Sequence, residues 1–287
     1  MIRTTQPPKT SPPHPPARPA NSRAQAITGR DYVSFSQLSM MRRCSQQFLF
    51  QYVQQLTPEF VPSSLKFGSA VHAAIEAHFQ ARLEGQRISA KGLSDLYRRS
   101  WAEPDSKGAP LRLNKSETEE GLHEMATRML QAFLESPASQ PAGEVVAVEE
   151  MIRATLDPGL PDIVSRVDVV VQCGTGLQVN DFKTSRSKWT EAKAMENGEQ
   201  LQLYRRLARP MADHGAIEAR FVVLTKQKTP AVQVFEVPDG GDDGARLVEG
   251  MKQVWTAIEA GNYYPNPSPM NCATCPFKGR CPAFGGK

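Results

Sequence analysis

Residues 165–184 read "SRVDVVVQCGTGLQVNDFKT", two β-type runs joined by a tight glycine-rich turn at Cys173 to Gly176. If the pairing is symmetric about Gly174 and Thr175, Asp168 faces Asp181 across an antiparallel hairpin, and Arg166 faces Lys183. Side chains alternate along a strand, so Asp181 and Lys183 share one face and Phe182 takes the other. Opposed residues have Cβ atoms about 4.5–5.5 Å apart, where two carboxylates repel. A divalent cation with oxygen ligands, Mg²⁺ or Mn²⁺, between them relieves that repulsion and gives Lys183 a chemical neighbour.

Upstream, "FGSAVHAAIEAHFQARL" (67–83) places Val71, Ala74, Ile75, His78 and Phe79 on one apolar helical stripe. Gly68, His72 and Glu76, spaced by four, lie beside that stripe. His72 is thus a third candidate ligand, Glu76 a supporting one, and Gly68 a point where another backbone can come close. A helix or pair of helices is expected from Ser34 to Leu56, opening with a Ser34/Gln37 capping box, and two more at 91–101 and 117–135. Strands are expected at 145–155, 163–172, 177–184, 219–225 and 231–237, with helices at 199–209, stopped by Pro210, and 244–259. Helices precede the sheet residues, which marks an α/β chain.

The helix at 199–209 carries Gln200 and Tyr204 four apart. Arg205, Arg206 and Arg209 on it, with Lys183, Arg186 and Lys188 nearby in sequence, are candidates for a phosphate-binding groove.

At 287 residues, 40% apolar and 22% charged, the chain is long enough for one large core or two modest ones. It has no apolar run of the roughly 20 residues that span a membrane and no apolar leader, so a cytoplasmic protein without a membrane partner is expected. Residues 1–30 hold seven prolines and the basic residues Arg3, Lys9, Arg18, Arg23 and Arg30 without one acid, which reads as a disordered Pro-rich tail preceding a domain at 31–287. Of 34 basic and 30 acidic residues, those five leave 29 against 30, so net charge says little about a nucleic-acid partner.

Five cysteines in such a chain argue against disulfides. Cys272, Cys275 and Cys281 have metal-knuckle spacing and need a fourth ligand, which Cys44 can supply; zinc and an iron–sulfur cluster both suit thiolates so spaced. Cys173 is left over.

G-x-x-x-H-x-x-x-E at Gly68 to Glu76, Asp168, D-x-K at Asp181 to Lys183 and Q-x-x-x-Y at Gln200 to Tyr204, in this order, resemble the RecB-like branch of the PD-(D/E)XK nuclease superfamily. The resemblance spans Ser34 to the C-terminus. It implies a restriction-endonuclease-like central mixed β-sheet flanked by helices. It also implies metal ligation by His72, Asp168 and Asp181, catalysis by Asp168, Asp181 and Lys183, with Lys183 assisting the attacking water, and DNA contact by Gln200 and Tyr204. The family pattern has glycine three residues before the first Asp, where this chain has Ser165.

One cysteine before the nuclease core and three after it, as in AddB-type helicase-nucleases and CRISPR-adaptation exonucleases, further implies a 4Fe-4S staple on Cys44, Cys272, Cys275 and Cys281. The implied activity is Mg²⁺- or Mn²⁺-dependent cleavage of DNA, as an exonuclease on single strands or ends. Recombination, repair, phage replication or CRISPR-type processing would be the setting, with a helicase or a recombination or replication protein as partner. The competing expectations are an iron–sulfur or zinc module that binds nucleic acid or scaffolds a complex with little chemistry, and a zinc protein with an accidental D-x-K.

Overall fold

In the computed structural model, residues 22–212, 214–241 and 243–286 are described, and their helices cover both faces of one six-stranded mixed sheet. In chain order the helices are α1 (Ser22–Thr28), α2 (Phe35–Arg43), α3 (Ser45–Phe48), α4 (Ser63–Leu83), α5 (Ala90–Ala102), α6 (Glu119–Glu135), α7 (Glu191–Glu196), α8 (Glu199–Ala208), α9 (Asp243–Glu259) and α10 (Pro269–Cys272). The strands are β1 (Tyr32–Ser34), β2 (Val61–Pro62), β3 (Leu111–Arg112), β4 (Glu144–Ala154), β5 (Asp162–Cys173), β6 (Gly176–Ser185), β7 (Ile217–Thr225) and β8 (Val232–Val237). The sheet runs β1-β5-β6-β7-β8 with β4 on the outer side of β5, and β2 and β3 form a separate pair.

The mixed sheet and its flanking helices agree with expectation, and the five long strands lie within two residues of their expected bounds. Ser34 caps α2 in the anticipated box, its hydroxyl accepting from the Gln37 backbone N–H while the Gln37 side chain accepts from the Ser34 N–H. Val71, Ala74, Ile75, His78 and Phe79 are all buried. They pack with α5 and α6 on one face of the sheet, while α8 covers the other with Leu201, Tyr204 and Ala208. Phe182 meets Phe79 and Phe133 at centroid distances of 5.8 Å each. That contact locks β6 against α4, and truncating Phe182 to alanine should cost about 3–5 kcal/mol.

Three expectations need correction. The tail expected at 1–30 falls mostly outside the described residues, but its last part is folded: α1 occupies Ser22–Thr28, Ala24 is fully buried, and Arg23 pairs with Glu259 at 2.9 Å. Ala24 and Ile27 join a small cluster with α2 and α9, so this short helix is stabilised by packing that a proline-rich sequence context hides. Cys44 is not inside a helix; its backbone is extended (φ −160°, ψ 100°) and separates α2 from α3. Gly68 needs no close backbone approach, since a Cβ there would meet only the Thr184 hydroxyl at 3.5 Å, an ordinary contact. Among the described residues no helix is long and apolar enough to cross a membrane.

Candidate active site

The β5–β6 ladder has the expected register but stops at Val169↔Asn180, one step before the two aspartates. Beyond that point β6 continues beside β7, with Asp181↔Phe221 and Lys183↔Val223, while β5 continues beside β4 and meets β1 only at Asp162 to Val164. Since β4 takes one side of β5, β1 and β6 both use the other, and a notch opens between them over residues 165–168. Backbone groups in the notch find side-chain partners instead. The Phe182 N–H donates to Asp168 Oδ2 at 2.7 Å, and the Tyr204 hydroxyl donates to the Arg166 carbonyl at 3.0 Å. Ser165, where the family pattern has glycine, is buried in regular register with Ile152.

Across the notch, α4 brings His72 Nδ1 to 3.6 Å from Asp168 Oδ2. The third member of this group is one the motif reading missed. His72, Asp168 and Glu149 place ligand atoms within 4.8 Å of one another. The flanking pairs Val148↔Val169 and Glu150↔Val167 put Glu149 opposite Asp168, and its φ of +52° is a left-handed conformation that glutamate seldom adopts. Strain of this kind persists only where the surroundings hold it, and it gathers at functional sites.

Asp181 is not in that group of three; it sits beside it, 2% exposed, with Oδ2 at 2.6 Å from Lys183 Nζ. The two are an ion pair rather than hydrogen-bonded, because Oδ2 has no hydrogen-bond partner of acceptable direction. Lys183 Nζ donates to Gln200 Oε1 at 3.0 Å, and Gln200 Nε2 donates to the Tyr204 hydroxyl at 2.7 Å. Gln200 and Tyr204 therefore continue a hydrogen-bonded chain from Lys183 to the Arg166 carbonyl, with Tyr204 only 3% exposed.

The electrostatics of these groups suit a bound cation. Burial first, and then the Asp181 charge, push the Asp168 carboxyl well above the usual carboxylate range. Burial also raises Glu149, helped by Glu76. His72 is pushed down by burial, which favours the neutral imidazole that can act as a ligand. An imidazole with two or three carboxylates, one of them carrying an oxygen without a hydrogen bond, suits a hard divalent ion such as Mg²⁺ or Mn²⁺.

The arginines of α8 do not join this site. Arg205 is buried and holds the carbonyls of Ile217, Val237 and Pro238 with the Gln202 side chain, so it ties α8 to β7 and β8 rather than supporting DNA contact. Arg206 and Arg209 line a different cleft with Thr155 and Asp239.

Cys44, Cys272, Cys275 and Cys281 line a single apolar pocket with Phe50, Pro265 and Phe277. The tail carrying three of them is already docked. The Glu59 N–H donates to the Pro276 carbonyl at 2.9 Å, Ser45 Oγ to the Tyr264 carbonyl at 3.0 Å, and Phe277 is buried against Phe50. The sulfurs are not gathered within 4.8 Å of one another in the way of His72, Glu149 and Asp168. Thiolates on one pocket wall suit either zinc or an iron–sulfur core. Cys173 stands apart at the hairpin turn, its sulfur 3.9 Å from the Ala142 carbonyl.

Comparison with known proteins agrees with the geometry. The sequence profile of the PD-(D/E)XK nuclease superfamily matches residues 32–282. The crystal structure of a Eubacterium rectale protein named "Putative exonuclease" aligns with a TM-score of 0.54 at 13% identity, over 87% of this chain and 88% of that one, a likeness of fold. The crystal structure of SSO0001 aligns over 87% of this chain and 95% of its own at 14% identity, with a TM-score of 0.38, too low to argue from. No curated protein matches.

Proposed function

Because this chain belongs to the PD-(D/E)XK nuclease superfamily, we propose that it is a divalent-metal-dependent deoxyribonuclease of the RecB-like branch, an exonuclease on single strands or DNA ends that carries a 4Fe-4S cluster. The observation that carries this reading is the His72–Glu149–Asp168 group beside a buried Asp181–Lys183 ion pair. His72, Glu149, Asp168 and Asp181 are the groups that would hold the ion. Mg²⁺ or Mn²⁺ bound there supplies Lewis-acid activation of the attacking water and the scissile phosphate.

The protein's own residues supply the rest. Lys183, held at Asp181 and Gln200, presents an ammonium to the negative charge that develops on the phosphate. Gln200 and Tyr204 position Lys183 rather than grip DNA directly, since their polar groups are already used within the fold. Cys44, Cys272, Cys275 and Cys281 would hold the cluster as a structural staple.

Tyr204→Phe separates the two roles. It leaves the Arg166 carbonyl without its partner, so stability should fall by about 1–3 kcal/mol. The turnover rate should drop roughly tenfold with KM for DNA nearly unchanged, as expected for loss of positioning. A rise in KM alone would restore the direct-contact role.

The test of the whole reading is an assay of anaerobically purified protein on end-labelled single- and double-stranded DNA with Mg²⁺ or Mn²⁺. Mononucleotides or short oligonucleotides released from one end, and complete inhibition by EDTA, are expected. Intact DNA under all these conditions would overturn it.

A further inference from the structure

Beyond the ion site, the cleft along α4 runs from Glu76, Glu149 and Asp168 past His72 and Gly68 to Ser64. Beside that end, just outside the residues that line the cleft, Thr184 of β6 faces Gly68, the parallel β6–β7 ladder closes one rung later with Ser185↔Thr225, and the Lys226 N–H donates to the Ser185 carbonyl at 2.7 Å. Arg186 and Lys226 are therefore neighbours one step past the last rung, on the face that carries Thr184 and Leu224 towards α4. Phe67 lies on α4 five residues before His72, which is about 7.5 Å along the helix axis.

Lys226 is half-buried with its ammonium 4.2 Å from the centre of the Phe67 ring. Among the described residues no carboxylate is in ion-pair contact with it, and Arg186 next to it makes no ion pair or side-chain hydrogen bond there either. The nearby acid, Glu117, is held by the Ser63 hydroxyl at 2.5 Å and the Asn114 N–H at 3.1 Å. Burial, with Arg186 adding to it and Glu117 opposing, lowers the Lys226 ammonium to about 8. A lysine held against an aromatic face without an anionic contact still lacks the partner its charge calls for.

We propose that Lys226, with Arg186 beside it, is a phosphate-binding subsite that holds a backbone phosphate of the DNA strand next to the scissile one in the α4 cleft. This rests on the nuclease reading above and deepens it, giving the cleft an anchored end and a cutting end. Lys226 is thereby a positioning residue, acting on substrate placement rather than on the reacting atoms.

The experiment measures anisotropy of a fluorescein-labelled single-stranded oligodeoxynucleotide with the full chain in EDTA over a salt series. Steady-state cleavage with Mg²⁺ is measured alongside. Lys226→Met should weaken binding on the order of tenfold and make the slope of log affinity against log salt shallower by about 0.7, the loss of one single-strand phosphate contact. Arg186→Met, an exposed change without a folding role, should lower the slope similarly. Lys226→Arg should keep it, and Lys91→Met, whose lysine pairs with Asp95 on α5, should leave it unchanged. In cleavage, Lys226→Met should raise KM while kcat stays near wild type. A slope in Lys226→Met and Arg186→Met equal to wild type, with wild-type cleavage intact, overturns the subsite and leaves the nuclease reading standing. Wild-type protein that neither binds nor cuts DNA overturns both.

Discussion

Replacing Asp181 with asparagine is expected to abolish DNA cleavage while the protein stays folded. The carboxylate is 2% exposed, sits beside the His72–Glu149–Asp168 group and holds Lys183 by an ion pair, so one change weakens both the ion site and the ammonium. Loss of several kcal/mol of transition-state stabilisation corresponds to a rate drop on the order of a thousandfold. The same substitution should steady the metal-free protein at high pH. Burial and the Asp181 charge raise the Asp168 carboxyl in the folded state, so between its ordinary value and the raised one the folded chain binds more protons than the unfolded chain. Stability without metal therefore falls as pH rises through that window, and neutralising Asp181 should flatten the fall. Melting curves in EDTA from pH 4 to 8 measure this. A variant that cuts DNA at the wild-type rate, or that loses stability with pH as steeply as wild type, contradicts the assignment.

Cys44→Ser should do as much harm as Cys275→Ser, although the two positions are far apart in sequence. Both thiols line one pocket, and a cluster bridging them closes a very long loop. By analogy with a covalent crosslink, losing it should cost several kcal/mol, which is about 10 °C in melting temperature for a chain of this size. Brown colour, iron and sulfide should be lost together. The catalytic residues would be unchanged, yet nuclease activity should fall with the folded fraction. Cys173→Ser should keep all of these properties, since that sulfur lies at the hairpin turn outside the pocket. Metal analysis of anaerobically purified wild-type protein decides between the clusters: one zinc per chain without iron, or a Cys44→Ser protein with a full complement of iron, refutes the staple.

The hairpin carrying Asp168 and Asp181 was legible because its turn is short, so residue counting alone fixes which side chains oppose. His72 was legible because a 3.6-residue period ties its position to the buried stripe of α4. Glu149 was not. The loop joining β4 to β5, residues 155–161, is long enough to leave the register of that pair open, and a charged residue at an edge strand usually signals only solvent. Arg205 misled for the opposite reason: a basic cluster on a helix reads as a surface, and only the tertiary fold shows its guanidinium buried among the carbonyls of the neighbouring strands. The strand β1 has three residues, too few for any alternation to appear, and α1 depends on packing against α2 and α9 rather than on its own propensity. The notch in the sheet could not be read at all, because it arises where two strands, β1 and β6, share one side of β5.

The docking of the cysteine tail against the α2–α3 break also decides how the molecule would respond to force. Stretched between residues 22 and 286, the chain would carry tension first through the Arg23–Glu259 pair and the three-residue strand β1, and then through the joint of Cys44 with Cys272, Cys275 and Cys281. With the cluster in place, the polypeptide between Cys44 and Cys272 would be a closed segment that feels no load, so the α4 cleft and the β5–β6 fork would keep their shape until iron–sulfur bonds break. Without it, the same pull would pass beyond Cys44 into the segment that carries α4 and the rest of the sheet. In single-molecule stretching, the holo-protein should therefore lengthen in two separate steps, a short one from the two ends and a long one at higher force, and the Cys44→Ser protein should yield at low force without that late step.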